Sequence, residues 1–241
     1  MKSIKVIALS ALVALMGVSC CNVPSVEPQP EGLSKASVDT ASYALGVFYA
    51  QAILSNNLGD MNYKEVVRGF KDALKGDNPE LNQMFVSQHM MKFMRERNEI
   101  VAQVNKQKGE EFLAKNVTVE GVESTFEGLQ YMVVRKGNGV YPTNDKDTVL
   151  VSYEGSTLDG KVFDSSYERQ DTVSFPLDRV IEGWTKGLKF CDEGSEVTLW
   201  IPSDMAYGMN GPMGPNQTLK FKVELHKVLP YVEKEAEAEA K

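Results

Sequence analysis

Apolar residues follow a helical spacing through the first half of the chain, which predicts two short helices and one long one. The first helix, with Ser37 or Asp39 as its N-cap, carries four such positions: Tyr43, Val47, Ala50 and Leu54. The second covers Tyr63 to Leu74 and ends in a loop-forming run that finishes with Pro79. From there to Asn116 the chain has no further proline and only one glycine, so we predict one long helix.

The long helix has an apolar early half and a polar late half. Its early half carries a stripe at helical spacing, interrupted by Arg97: Val86, Met90, Phe93, Val101 and Val104. Beyond Val104 almost every residue is polar, and the two short helices are too small to cover the stripe. We therefore predict that residues 38–110 form a homodimer, with the polar half as an exposed strut. A self-contained three-helix bundle is the alternative.

After Thr118 the apolar period changes from helical spacing to strict alternation. Four half-buried strands are predicted, at residues 129–135, 148–154, 195–201 and 219–226. Strands with a single apolar face usually form antiparallel sheets, and that face must be covered. The only good helix available for this lies around Trp184, with Asp178 as its N-cap.

The predicted fold class is therefore α+β. An antiparallel β-sheet wraps around one short α-helix over residues 126–230. An all-α region with one long helix, residues 38–125, precedes it. Residues 20–37, rich in Pro, Ser, Glu and Gln, are predicted to be a flexible linker, and residues 231–241 an acidic, solvated tail.

The first nineteen residues predict an export signal. Lys2 and Lys5 precede an apolar run that is too short to span a membrane as a helix. The segment 17–20, Gly-Val-Ser-Cys, resembles a bacterial lipobox in which glycine replaces the usual leucine, and it predicts Cys20 as the lipidated first residue of the mature chain. Lipidation at Cys21 and a plain secretory signal over residues 1–19 are the alternatives. A lipid chain would anchor the protein to a membrane without threading it through.

Charge and composition narrow the class of function. The formal net charge of -7 leaves no electrostatic footprint for nucleic acid. Two of the three cysteines are adjacent, so no disulfide framework is predicted. His89 and His226 lack neighbouring cysteines or acidic residues at ligand spacing, and we predict no metal site and no cofactor.

A set of mostly aromatic and aliphatic residues lies near the predicted strand ends and the short helix. Its members are Tyr153, Phe163, Asp164, Arg169, Val180, Ile181, Trp184, Tyr207 and Phe221. The sequence shows no Ser-His-Asp or Cys-His set, carboxylate pair or phosphate loop. A concave apolar set without a nucleophile favours binding, or a reaction that needs no covalent step.

The motifs that contain these residues resemble the FK506-binding-protein (FKBP) family of peptidyl-prolyl cis-trans isomerases. They occur in the family's order: Val151–Gly155, Gly160–Ser166, Val180–Trp184, Ile201–Gly208 and Leu219–Leu225. The helical region resembles the N-terminal dimerisation domain of the Mip/FkpA-like subgroup, in three segments: Ser42–Gly46, Glu111–Asn116 and Gly128–Tyr131.

This resemblance implies roles for individual residues. The proline ring of the substrate would lie on Trp184, within walls formed by Tyr153, Phe163, Val180, Ile181 and Phe221. Tyr153, Asp164 and Tyr207 would be catalytic, and Arg169 would hold the Tyr153–Asp164 side in place. The implied ligands are proline-containing segments of unfolded or exported proteins, and a macrolide of the FK506 type.

Two departures from the family pattern concern the rim of the pocket. Val173 stands where the family often has a phenylalanine wall, which predicts a wider pocket. The loop 209–218 is short and lacks the usual Ile-Pro-Pro, with Met213 as a partial replacement for that wall.

We expect a lipid-anchored isomerase of the bacterial envelope, at the outer membrane and facing the periplasm. It would assist the folding of exported proteins. The alternative is a dimeric periplasmic chaperone or holdase with a weak or vestigial isomerase site.

Overall fold

The computed structural model describes residues 28–56, 58–76, 78 and 80–233. The predicted export signal, Cys20 and most of the acidic tail lie outside these residues. The chain divides into two compact units, Met1–Lys92 and Phe93–Lys241. Across the described ranges, we found no helix long and apolar enough to cross a membrane.

The first unit contains helices α1 (Lys35–Ser55) and α2 (Tyr63–Lys75), and neither helix has a buried residue. Large apolar side chains such as Phe48 remain exposed. The alternative of a self-contained three-helix bundle is therefore wrong for the single chain, since these helices share no core. The predicted N-caps of α1 are also wrong, because Ser34 caps the helix and accepts a hydrogen bond from the backbone N–H of Ser37.

Helix α3 runs from Gln83 to Asn116, which confirms one long helix ending where predicted. It begins four residues after Pro79, and the Asn82 side chain accepts a hydrogen bond from a first-turn backbone N–H. Its polar half is not an exposed strut: within the second unit, Ala102 and Gly109 are buried and Asn105 hydrogen-bonds to a distant loop. Small residues and an amide form this face, so hydrophobic spacing did not reveal it.

The second unit is built on a seven-stranded sheet. In chain order, its strands are β1 (Glu123–Ser124), β2 (Gln130–Arg135), β3 (Thr148–Thr157), β4 (Val162–Ser165), β5 (Val173–Pro176), β6 (Glu196–Ile201) and β7 (Leu219–Leu229). They lie in the order β1-β2-β6-β7-β3-β4, with β5 also paired to β3. All pairings are antiparallel, as predicted. The prediction missed β1, β4 and β5 because strands of two to four residues are too short to show a clear alternation.

Helix α4 (Glu182–Gly187) covers the apolar face of this sheet. A Cβ added to Gly183 would lie 2.2 Å from Ile201 Cγ2, so glycine lets the helix backbone approach β6 closely. The predicted N-cap at Asp178 is wrong, since this residue lies in the preceding 3-10 turn, Leu177–Arg179, and Ile181 occupies the N-cap position. The predicted α+β class, an antiparallel sheet around a short helix, is confirmed.

Candidate active site

A cavity of about 350 Å³ opens beside α4. Its lining residues are Tyr153, Phe163, Asp164, Phe175, Arg179, Val180, Ile181, Trp184, Tyr207 and Phe221. The fold thus brings eight of the nine predicted site residues to one cavity, and the ninth, Arg169, binds two of them from the edge. The cavity is of the size that takes small ligands, and most of its lining residues are aromatic or aliphatic.

Trp184 is 4% exposed and stands at the centre of an aromatic cluster. Three rings contact its indole edge to face, with centroid distances of 5.1 Å to Tyr153, 5.6 Å to Phe175 and 5.3 Å to Phe221. They come from β3, β5 and β7, so the sheet fixes the indole from three directions. Such edge-to-face pairs are favourable beyond their buried area. The indole therefore forms a rigid floor rather than a mobile lid.

The wall beside this floor depends on Gly155 of β3. A Cβ at this position would lie 2.7 Å from Phe221 Cε1 and 2.8 Å from Phe163 Cζ. The two rings themselves pack edge to face at 5.7 Å. Glycine therefore leaves room for the two rings of the aromatic wall, which a Cβ at this position would displace.

At one corner of the cavity, three polar side chains hydrogen-bond to one another: Tyr153, Asp164 and Arg169. The Tyr153 hydroxyl donates a hydrogen bond of 2.5 Å to Asp164 Oδ2. Arg169 donates to Asp164 Oδ1 at 2.6 Å and to the Tyr153 hydroxyl oxygen at 3.2 Å. The three side chains satisfy one another, so the Asp164 carboxylate is held at a fixed place at the cavity edge and is paired there with the Arg169 guanidinium.

These contacts shift the pKa values of Asp164 and Tyr153. Burial would raise the pKa of Asp164, but the hydrogen bonds from Arg169 and Tyr153 outweigh it and hold that pKa below its usual value. Burial and the hydrogen bond to Asp164 raise the pKa of Tyr153. Asp164 is therefore a carboxylate and Tyr153 a neutral phenol at neutral pH.

Among the unpaired hydrogen-bond donors at the cavity, two are placed to bind carbonyl oxygens, the Tyr207 hydroxyl and the Ile181 backbone N–H. The Tyr207 hydroxyl has no partner among the described residues, and burial followed by the nearby Asp164 charge raises its pKa. The backbone N–H of Ile181, at the N-cap of α4, also makes no hydrogen bond within the part of the chain that the structure describes. An apolar group on the floor could thus be flanked by two bound carbonyl oxygens.

Phe175 and Arg179 line the cavity but were not predicted. Phe175 is two residues after Val173 on β5, on the same side of the strand, and its ring contacts both Tyr153 and Trp184. An aromatic wall is therefore present although Val173 is not a phenylalanine. Strand alternation would have found Phe175 had β5 been recognised. Met213 packs against the core and does not line the cavity, so the prediction that it replaces the missing rim wall is wrong.

Comparison with known proteins agrees with this geometry. Residues 140–226 match the family model described as FKBP-type peptidyl-prolyl cis-trans isomerase. Residues 38–133 match the model described as the domain amino terminal to FKBP-type peptidyl-prolyl isomerase.

Individual relatives match over most of the chain. A probable FKBP-type peptidyl-prolyl cis-trans isomerase FkpA from Neisseria meningitidis is 37% identical, over 80% of this chain and 75% of the relative. The outer membrane protein MIP of Legionella longbeachae is 33% identical, over 78% of this chain and 84% of that protein. The crystal structure of FkpA from Escherichia coli aligns with a TM-score of 0.66 at 35% identity, covering 81% of this chain and 96% of that one.

Proposed function

This chain belongs to the FKBP-type peptidyl-prolyl cis-trans isomerases, and we propose that it assists the folding of exported proteins by binding their X–Pro segments in the cavity beside α4. The observation that carries the proposal is the floor of Trp184 between aromatic walls, next to a fixed carboxylate and two free donors. Such a site holds a small apolar ring and the carbonyl groups on either side of it.

The chemistry requires no covalent step. Rotation about an X–Pro amide has a barrier of about 18–20 kcal/mol, because the planar amide is stabilised by resonance. The twisted amide has lost that resonance and its charge separation, so an apolar cavity favours it over the planar form. Lowering this barrier is the whole of the catalysis, since the amide bond neither breaks nor forms.

Each residue has a role in this proposal. Trp184 lies under the proline ring of the substrate. The walls around that ring are formed by Phe163, Val180, Ile181 and Phe221, and also by Phe175, which lines the cavity beside Trp184. The Tyr207 hydroxyl and the Ile181 N–H donate to substrate carbonyl oxygens. Asp164 places its carboxylate near the amide carbon, while Tyr153 and Arg169 hold that carboxylate in place.

A protease-coupled prolyl-peptide assay on the mature chain tests the proposal. A rate well above the slow uncatalysed reaction supports it, and a rate equal to the uncatalysed one contradicts it.

The same assay with added FK506 tests the proposal that a macrolide of this type occupies the cavity. Inhibition is expected, because the macrolide would cover the Trp184 floor.

The pH dependence of the isomerase should be flat across neutrality. Asp164 has a lowered pKa and stays charged, while Tyr153 and Tyr207 have raised pKa values and keep their protons. None of the three titrates between about pH 5 and about pH 9. We expect constant kcat/KM over this window and a fall only in more acidic solution, because the lowered pKa of Asp164 keeps the carboxylate charged down to below the ordinary aspartate value of 3.8. An inflection near pH 7 would show that a group outside this corner controls the rate.

The proposed assembly is a homodimer through residues 38–110. It is supported by α1 and α2, whose apolar residues have no core to enter within one chain. Phe48 is 63% exposed, so Phe48→Glu should cost little in a monomer but should bury a charge in a dimer. We expect light scattering to find a dimer for the wild type and a monomer for Phe48→Glu.

The matched control is Phe126→Glu. Phe126 is fully exposed and lies in the second unit, outside the predicted dimer region. This variant should remain a dimer. A wild-type monomer, or equal effects of the two substitutions, would contradict the proposed interface.

The proposed location is the bacterial envelope, with the mature chain anchored by a lipid on Cys20 and facing the periplasm at the outer membrane. It is supported by the leader in the sequence and by the relative named as an outer membrane protein. Metabolic labelling with palmitate tests it, since Cys20→Ser should abolish the label. Label that persists in Cys20→Ser would favour Cys21, and no label on the wild type would favour a plain secretory signal.

A chaperone or holdase is the second candidate function. The exposed apolar side chains of α1 and α2, such as Phe48, favour it because they form a surface suited to unfolded segments. Suppression of the aggregation of an unfolded protein by a mature chain that has no measurable isomerase activity would establish this function instead.

A further inference from the structure

The late half of α3 is fastened to the loop that follows Tyr207. The Asn105 side-chain amide donates a hydrogen bond of 2.8 Å to the carbonyl oxygen of Pro215. In return, the Asn216 side-chain amide points to the carbonyl oxygen of Ala102 at 3.5 Å. Helix and loop thus exchange contacts through two asparagines that lie more than a hundred residues apart in the chain.

The helix is shaped for this contact. Ala102, Asn105 and Gly109 are spaced by three and four residues, so they share one helix face. Ala102 and Gly109 are buried, and a Cβ at Gly109 would lie 2.1 Å from the hydroxyl oxygen of Thr218, at the end of the loop. Small residues on either side of Asn105 therefore let its short amide reach the loop backbone.

The contact continues to the cavity through the loop itself. The backbone N–H of Asn216, next to Pro215, donates a hydrogen bond of 2.8 Å to the carbonyl oxygen of Gly208. Gly208 directly follows Tyr207, whose side chain lines the cavity. Asn216 itself holds a left-handed conformation with φ of 50°. The connection from Asn105 to Tyr207 is therefore short. Asn105 hydrogen-bonds to Pro215, the next residue Asn216 hydrogen-bonds to Gly208, and Gly208 is bonded directly to Tyr207.

From this connection we infer that Asn105 is a positioning residue for the isomerase site, which holds the Tyr207 hydroxyl over the cavity through Pro215, Asn216 and Gly208. The inference rests on the proposed function, in which Tyr207 binds a substrate carbonyl. Asn105 touches no substrate. It fixes the backbone that carries Tyr207, so its loss loosens substrate binding while the aromatic floor stays intact.

The test compares Asn105→Ala with Gln107→Ala in the full mature chain. Both changes suit a helix, but among the described residues the Gln107 side chain hydrogen-bonds to Glu111 on the same helix and not to the loop. Asn105→Ala should raise KM for a prolyl peptide about fivefold with kcat within about twofold, as expected when binding is lost equally from ground and transition states. Gln107→Ala should leave both constants unchanged.

A double-mutant cycle with Tyr207→Phe separates positioning from a merely structural role. If Asn105 acts through the Tyr207 hydroxyl, Asn105→Ala should have little further effect on KM once that hydroxyl is gone. Full additivity of the two changes would overturn the inference.

A readout independent of activity is the amide resonance of Gly208 in 15N-labelled protein. It should shift in Asn105→Ala and not in Gln107→Ala. An unshifted Gly208 amide in a folded Asn105→Ala protein would overturn the inference even if the enzyme is active. A wild type without isomerase activity would refute the proposed function, and the resonance would still report whether Asn105 holds the loop.

Discussion

Asp164→Ala should lower kcat/KM for prolyl peptides about thirtyfold while the protein remains folded. The substitution removes the acceptor of hydrogen bonds from both Tyr153 and Arg169, and it leaves the guanidinium without a counter-charge at the cavity edge. Without the fixed carboxylate beside the twisted amide, we expect about 2 kcal/mol of transition-state stabilisation to be lost, which corresponds to roughly thirtyfold in rate. The side chain of Asp164 is 40% exposed, and exposed ion pairs contribute about 0.2–1 kcal/mol, so its removal should cost no more than about 1 kcal/mol of stability.

Two further variants define what Asp164 contributes. Asp164→Asn keeps the size and one acceptor oxygen but loses the charge, so its kcat/KM should lie between those of the wild type and Asp164→Ala. Glu168→Gln removes an exposed carboxylate from the same segment and should leave kcat/KM unchanged. Activity of Asp164→Ala within about twofold of the wild type, with normal urea unfolding, would contradict a role for the carboxylate in isomerisation.

Much of the second unit could be predicted from the sequence because its main strands alternate strictly between apolar and polar residues. Leu219, Phe221 and Val223 point to the core between polar residues, and β7 forms where that alternation predicts it. The short strand β5 has only four residues, so Phe175 was missed although its ring contacts Trp184. An alternation of buried and exposed residues can be recognised in a sequence when it repeats several times along a strand, but not when the strand is only about four residues long.

The docking of α3 could not be predicted for a different reason. The face that packs on the loop consists of the buried Ala102 and Gly109 and the partly buried Asn105, and these residues form no apolar stripe. The partner atoms belong to Pro215 and Thr218, over a hundred positions later. Contacts between backbone carbonyls and a side-chain amide leave no periodic signal, so a polar helix half that packs closely resembles one that is solvated.

The packing of α4 on the sheet depends on one glycine, Gly183, which sets the distance between the helix and β6. Gly183→Val should destabilise the protein by about 3 kcal/mol, since overpacking of a core costs about 1–3 kcal/mol and occasionally more. The new Cβ would lie 2.2 Å from Ile201 Cγ2, and Ile201 is fully buried on β6. The helix must therefore move outward, which also displaces Trp184 from its three aromatic neighbours.

Urea unfolding for the free energy, thermal unfolding for the melting temperature, and isomerase assays check this prediction. The melting temperature should fall by roughly 6–12 °C, at about 2–4 °C per kcal/mol for a chain of this size. Even at temperatures where Gly183→Val is folded, kcat/KM should be reduced because the floor has moved.

Glu182→Val is the matched control, since it places the same residue one position earlier on α4, where the side chain is exposed and loses only a surface ion pair with Lys186. Its stability should stay within about 1 kcal/mol of the wild type.

Ile201→Ala removes the methyl group that the new side chain would strike. The double variant Gly183→Val with Ile201→Ala should thus be more stable than the sum of the two single effects. Strict additivity, or a Gly183→Val protein as stable as the wild type, would show that α4 has room to spare and that the close approach at Gly183 does not position the tryptophan floor.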